Sequence, residues 1–235
     1  ILMNTIYSSK SLNFWELARF SKSKKIHYSE ILKSAFNDKV LFADEKILLE
    51  KFVNYTQGKN INPSSQVFQD IFASFVIGKN FKKNFLEFGA TDGIDLSNTF
   101  LLEKEFGWEG VLAEPSPQWH DQLEKNRPNA KIIKKCIWKS SDSTLDFFMS
   151  TNLGSLSTIN DFKESDLKSM PGNTKERLKE GKIIKVQTIS LNDVVKNYFK
   201  EIPPSYISVD TEGSEYDILN SLDFNKCKPY CFYLL

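Results

Sequence analysis

Phe85-Leu86-Glu87-Phe88-Gly89-Ala90-Thr91-Asp92-Gly93, followed by Leu112-Ala113-Glu114-Pro115, reads as a buried strand, a glycine-punctuated turn, a helix, and a second strand ending in an acid. Gly89 and Gly93 can take backbone conformations closed to other residues and let a ligand approach the main chain. Glu114, at the end of an apolar run, can accept hydrogen bonds from a ribose diol. The arrangement predicts an adenosine-containing ligand.

The glycine spacing separates the ligand classes. A dinucleotide-binding turn uses G-x-G-x-x-G to bring backbone against a pyrophosphate, whereas this turn is Gly89-x-x-x-Gly93 with Glu87 before it and Asp92 inside it. Two carboxylates would repel a pyrophosphate. They suit the cationic amino group and sulfonium of S-adenosylmethionine. An ordinary strand-to-helix turn would account for the glycines alone, but not for Glu114 twenty-one residues after Gly93.

Outside the turn, composition excludes more than it assigns. The 235 residues, 40% hydrophobic, suffice for one substantial core and a small appendage. With 31 basic against 30 acidic residues and a net charge of +1, no global field draws in nucleic acid or an anionic membrane. No apolar run of about 18 residues predicts a membrane span. Cys136, Cys227 and Cys231 lack paired zinc-ligand spacing and are odd in number, so a reducing, cytoplasmic compartment is the simpler expectation. His27 and His120 are the only histidines, which limits histidine-based catalysis and argues against a multi-histidine metal site. The chain begins at Ile1 without a methionine, so a preceding segment is expected.

Two regions follow from the patterning. In residues 1–61, Phe14, Leu17, Ala18, Ile31, Leu32, Ala35 and Phe36, and then Ile47, Leu48, Phe52 and Tyr55, recur at helical spacing and predict a helical segment or cap. Asn60 to Ser65 is a turn-rich joint, and residues 62–235 should form the main domain, opening with a helix over Gln66–Ile77. Strands are expected at Asn84–Phe88, Gly110–Ala113, Lys131–Trp138 and Tyr206–Val209, with helices after the first two, which predicts a doubly wound, mainly parallel α/β sheet. Leu145–Met149 and Lys182–Val186 look like strands flanking a polar stretch, Ser150–Gly181, read as a substrate-facing lid or a surface excursion.

A second run, Val209-Asp210-Thr211-Glu212-Gly213-Ser214-Glu215, carries an apolar strand into three carboxylates around a glycine. Ligands of open α/β sheets sit beyond the carboxyl ends of the strands, where Asp210 and Glu212 would fall. Asp210 could orient an acceptor hydroxyl or act as its base; Glu212 could do the same or, with Asp210, hold a divalent metal such as Mg2+. Helix capping is the alternative for Ser214 and Glu215.

Ser65-Gln66 with Gln69-Asp70, the Phe85–Gly93 stretch, Ser97-Asn98-Thr99, Gly107-Trp108-x-Gly110, Glu114-Pro115 and Asp210–Glu215 together resemble the FkbM-like S-adenosylmethionine-dependent methyltransferases, in family order over about Ser65–Leu235. The resemblance implies a Rossmann-like class I methyltransferase fold. It also implies that Glu87, Gly89 and Gly93, with Ala90, Thr91 and Asp92 between them, form the cofactor loop. Glu114 with Pro115 would hold the ribose, Asp92 or Asn98 would lie near the methionine end, and Ile137 would lie where adenine rests. The implied reaction is O-methylation of a sugar, glycan or related natural product, with a carbohydrate or small molecule as partner. The family sheet would have seven strands, and Tyr230–Leu235 would be only the fifth. That implies truncation or strands supplied from elsewhere, and an apolar edge strand that invites homo-oligomer formation. A non-catalytic binding domain of the same fold and a nicotinamide-dependent oxidoreductase are the competing readings; the turn argues against the latter.

Overall fold

The computed structural model describes residues 43–57, 63–66, 68–78, 81–200, 202–229 and 231–234. The helical periodicity read from Phe14 to Phe36, and the first half of the joint, Asn60 to Asn62, lie outside them. Helices α1 (Ala43–Thr56) and α2 (Gln69–Ile77) precede strand β1 (Asn84–Phe88), helix α3 (Phe100–Phe106), β2 (Glu109–Ala113), α4 (His120–Asn126) and β3 (Lys131–Ile133). There follow β4 (Cys136–Trp138), β5 (Thr144–Ser150), β6 (Thr158–Ile159), α5 (Pro171–Lys179), β7 (Gly181–Ser190), α6 (Leu191–Phe199), β8 (Tyr206–Val209), α7 (Glu215–Asn220) and β9 (Cys231–Leu234).

The first sheet runs β3-β2-β1-β8-β9, and every pair in it is parallel. β1 lies at its centre, and all five of its residues are buried, as a strand covered on both faces must be. Phe85, Leu112 and Tyr206 point to one face, where they meet Phe52 of α1, Ile71 of α2 and Leu102 of α3. Leu86, Phe88, Val111, Ile207 and Val209 point to the other, against Leu191, Val194 and Val195 of α6 and Ile218 of α7. The molecule is thus a mixed α/β protein built on a parallel sheet. Among the described residues nothing pairs with the outer edge of β9.

The run expected as one strand from Lys131 to Trp138 is divided. β3 belongs to the first sheet, and β4 starts a second one of order β4-β7-β5-β6. β4 joins β7 in parallel, whereas β5 is antiparallel to both β7 and β6. The alternation breaks here because a long hairpin, Thr144↔Gln187 through Ser150↔Gly181, is inserted between β4 and α6. The polar stretch at its tip is ordered structure: a 3-10 turn at Gly154–Leu156, β6, a second 3-10 turn at Asn160–Phe162, and then α5, which starts at Pro171. Proline suits a first helical turn because its missing N–H would be unpaired there.

Helix α6 has no counterpart among the elements expected from sequence. Leu191, Val194, Val195 and Phe199 form its buried stripe, and its N-cap Ser190 Oγ accepts from Asp193 N at 3.1 Å. In α1, Phe52 is buried but Ile47 is 53% exposed, so only part of that apolar periodicity faces the core. No helix among the described residues is long and apolar enough to cross a membrane.

Candidate active site

At the carboxyl ends of β1, β2 and β8 the chain leaves a partly open cleft of about 480 Å³, open solvent included. Gly89, Thr91, Glu114, Pro115, Ile137 and Asp210, all named from sequence, line it. Ala90, Asp92, Gly93, Asn98, Glu87 and Glu212 do not; they hold the surrounding chain.

Both loop glycines have positive φ, +72° at Gly89 and +80° at Gly93, but the space they leave is taken by protein. A Cβ on Gly89 would stand 2.0 Å from the carbonyl oxygen of Asp210, so the missing side chain lets the end of β1 lie against the end of β8. A Cβ on Gly93 would meet Leu123 and Arg127, each at 2.7 Å, so this glycine seats the loop on α4. Asp92 Oδ1 accepts from the backbone N–H groups of Ile94 and Asp95, both at 2.9 Å, and closes the turn.

Glu87 faces away from the cleft into a buried polar layer. Its carboxylate accepts from Asn98 N at 2.7 Å, from Ser97 Oγ, and from Thr99 Oγ1 in a short contact, with Arg127 Nη1 4.0 Å away. Burial raises its pKa against the lowering pull of Arg127 and these donors. Asn98 bridges outward: its Oδ1 accepts from Gln69 Nε2 at 2.5 Å, and its Nδ2 donates to Ser208 Oγ at 2.8 Å. The Ser97-Asn98-Thr99 run is therefore a brace joining α2, β1 and β8 beneath the loop.

Glu114 does face the cleft. Oε2 accepts from Thr91 N at 2.9 Å and Oε1 from Ser116 N at 2.7 Å. Each carboxylate oxygen can accept at more than one lone pair, so one acceptor position on each stays available to two neighbouring hydroxyls. Burial pushes its pKa up to about 7 despite those two N–H donors. Close by, Ser116 Oγ is buried with no hydrogen-bond partner among the described residues. His120 Nε2 lies 2.9 Å from the Glu114 carbonyl oxygen and fixes backbone rather than the carboxylate. Cys136, unremarked in sequence beyond its count, lines the cleft; burial and then the Glu114 charge push its thiol up to about 12, so it stays neutral. Asp142 sits in a turn at φ +58°, 3.3 Å from Lys135 and outside the cleft lining.

The three acids after β8 have separated roles. Glu215 accepts from Thr211 N at 2.8 Å and Gly213 N at 3.0 Å, and so ties up the loop at the start of α7. Glu212, at φ +60°, turns to Arg177, whose Nη2 lies 2.6 Å from Oε2. Burial raises the Glu212 pKa to about 7 against the lowering effect of that guanidinium, with Asp166 and Glu215 adding to the rise. Asp210 lines the cleft and has no hydrogen-bond or ion-pair partner among the described residues. Burial first, and then the Glu212, Glu215 and Glu87 charges, raise its pKa well above the usual value. No group of three or more histidine, cysteine or acidic residues able to hold a metal gathers among the described residues. The expected metal role of Asp210 with Glu212 meets a guanidinium on Glu212 instead.

Two arginines were missed in the sequence. Arg177 lies inside the polar excursion and Arg127 beyond α4, and both are completely buried; an arginine so placed requires carboxylate partners.

A parallel sheet with an acid at the tip of β2 and another at the tip of β8, both on one cleft, places these acids where open α/β sheets bind ligands. Residues 87–233, well over half the chain, match the methyltransferase FkbM domain, and the chain belongs to this methyltransferase family. No curated protein and no solved structure matches it.

Proposed function

We propose that the chain is an S-adenosylmethionine-dependent O-methyltransferase of Rossmann-like, doubly wound class I architecture, acting on a hydroxyl of a sugar, glycan or related natural product. The observation that carries this reading is the pairing on one cleft of Glu114, with spare acceptor capacity on both oxygens, and Asp210, with no partner among the described residues. The family membership supports the transfer chemistry, and residues 62–235 are the domain proposed to perform it.

The residues fit the cofactor. Glu114 would accept from the two ribose hydroxyls, Ile137 would lie along the adenine, and the orphaned Ser116 Oγ offers a further donor nearby. When bound, S-adenosylmethionine supplies an electrophilic methyl group on a sulfonium. The protein's share is alignment, exclusion of water, and removal of the acceptor's proton. Proton removal falls to Asp210, whose raised proton affinity suits a base that must accept a hydroxyl proton. A carbohydrate acceptor is proposed from the family resemblance, and no metal is required by this scheme.

Calorimetry with S-adenosylhomocysteine and with NAD, followed by labelled methyl transfer to a panel of glycans, tests the reading. Binding of S-adenosylhomocysteine but not NAD is expected. Asp210→Asn should lower transfer by about 10²-fold or more while leaving S-adenosylhomocysteine affinity within about threefold. Tight binding of NAD alone would overturn the proposal in favour of an oxidoreductase, and binding of neither would favour a non-catalytic domain.

A further inference from the structure

We infer that Arg177 is a positioning residue of the site: it draws Glu212 out of the cleft, and so leaves Asp210 as the one carboxylate presented to an acceptor. The inference rests on the methyl-transfer reading above and goes beyond it by dividing the two acids that sequence treats alike.

The geometry is that of a hub. Arg177 is completely buried, and its guanidinium serves three separate pieces of chain. Nε donates to the Leu156 carbonyl at 2.6 Å, in the turn whose neighbours Ser155 and Ser157 line the cleft. Nη1 donates to the Lys163 carbonyl at 3.0 Å and to Asp166 Oδ1 at 2.8 Å. Nη2 reaches Glu212 Oε2 at 2.6 Å. A planar fork with fixed donor directions can hold these partners together; an ammonium on a flexible stem cannot reproduce the pattern. Two further contacts fasten the same seam: Thr158 Oγ1 donates to the Thr211 carbonyl at 2.9 Å, and Ser165 Oγ to the Glu212 carbonyl at 3.2 Å.

The consequence for the acids is electrostatic. Asp210, Glu212 and Glu215 follow one another within six residues, and like charges so close cannot all ionise freely. Glu215 is held by backbone N–H groups and Glu212 by Arg177. With its counter-ion present, Glu212 is the first of the two to ionise, and Asp210 serves as the base once it too has lost its proton. Without it, the proton should move to Glu212 and Asp210 should ionise at lower pH. An arginine that only braced the fold would not move two neighbouring carboxylates in opposite directions.

The test is a carbon-13 carboxylate titration by NMR, with signals assigned by Asp210→Asn and Glu212→Gln, beside calorimetry with S-adenosylhomocysteine. In Arg177→Met the Glu212 titration should rise and the Asp210 titration fall, each by about one pH unit, and Arg177→Lys should restore part of both shifts. Glu212→Gln keeps an acceptor for Arg177 and covers the case in which Arg177→Met does not fold; there Asp210 alone should titrate lower. Both carboxylates moving together, or neither moving, would overturn the inference. Failure of the wild-type chain to bind S-adenosylhomocysteine would overturn the methyltransferase reading instead, whatever the titrations show.

Discussion

Arg127 Nη1 donates to the carbonyl oxygen of Gly93 at 3.0 Å, from a side chain with no exposed surface. The same guanidinium donates to Glu103 Oε2 at 2.8 Å and to Thr99 Oγ1 at 3.1 Å, and lies 4.0 Å from Glu87. One cation at the end of α4 thereby fixes the glycine turn from below and neutralises the buried acids there.

Arg127→Met should accordingly cost about 3–5 kcal/mol, because removing one partner of a buried ion pair strands the other charges. Urea unfolding should show it as a lower midpoint with little change in slope. Arg127→Lys, which keeps charge but loses the fork, should fall between the two.

Gly89→Ala should be at least as harmful. An alanine there takes an unfavourable positive φ and drives its Cβ to 2.0 Å from the Asp210 carbonyl oxygen, which is backbone and cannot rotate away. The ends of β1 and β8 would have to separate, at a cost of about 3 kcal/mol or more. Thermal unfolding of the purified variant checks this; a stability equal to wild type would mean the two strand ends are not held in contact.

How far the sequence could be read depended on whether a residue's signal was local. The strands β1, β2 and β8 were legible because continuous apolar runs ended in glycine or acid, and their position at the sheet's active edge followed from strand order. Glu114 and Asp210 were legible for the same reason, since each ends such a strand. Glu87 looked like a cofactor ligand because it sits in the same motif, yet β-strand alternation points it, with Phe85, to the face opposite Leu86 and Phe88. Its partners Ser97, Thr99 and Arg127 lie 10, 12 and 40 residues downstream, beyond any local pattern. Arg177 and Glu212 were unreadable as a pair for the same reason: 35 residues separate them, with β7, α6 and β8 between.

The ligand-free protein should lose stability as pH rises from about 4.5 to about 7 through its buried carboxyl groups, Glu114 and Glu212 among them. Glu114 and Glu212 have folded pKa values raised from 4.5 to about 7, so both favour the folded state while protonated. Their contribution is complete below the unfolded value of 4.5 and is lost as pH passes through 7. Urea midpoints at pH 5 and pH 8 should show a smaller loss for Glu114→Gln than for wild type, because that variant removes one of these titrations. An equal loss would mean that Glu114 ionises at its ordinary value.

Cofactor binding should run in the opposite direction with pH. Glu114 accepts hydrogen bonds from both ribose hydroxyls only as a carboxylate, and burial keeps it partly protonated near neutrality. S-adenosylhomocysteine should therefore bind more tightly as pH rises through about 7, with up to a tenfold change per unit on the acid side and a plateau above it. Glu114→Gln should bind about 10–100-fold more weakly, the loss of hydrogen bonds to a charged acceptor, and should show a flatter dependence. In Glu114→Ala the N–H groups of Thr91 and Ser116 also lose their acceptor, so the loop above the cleft should loosen and affinity should fall further. Calorimetry at pH 6, 7 and 8 separates the two effects: an affinity that does not depend on pH in the wild type, or one that survives Glu114→Ala, would remove Glu114 from the ribose.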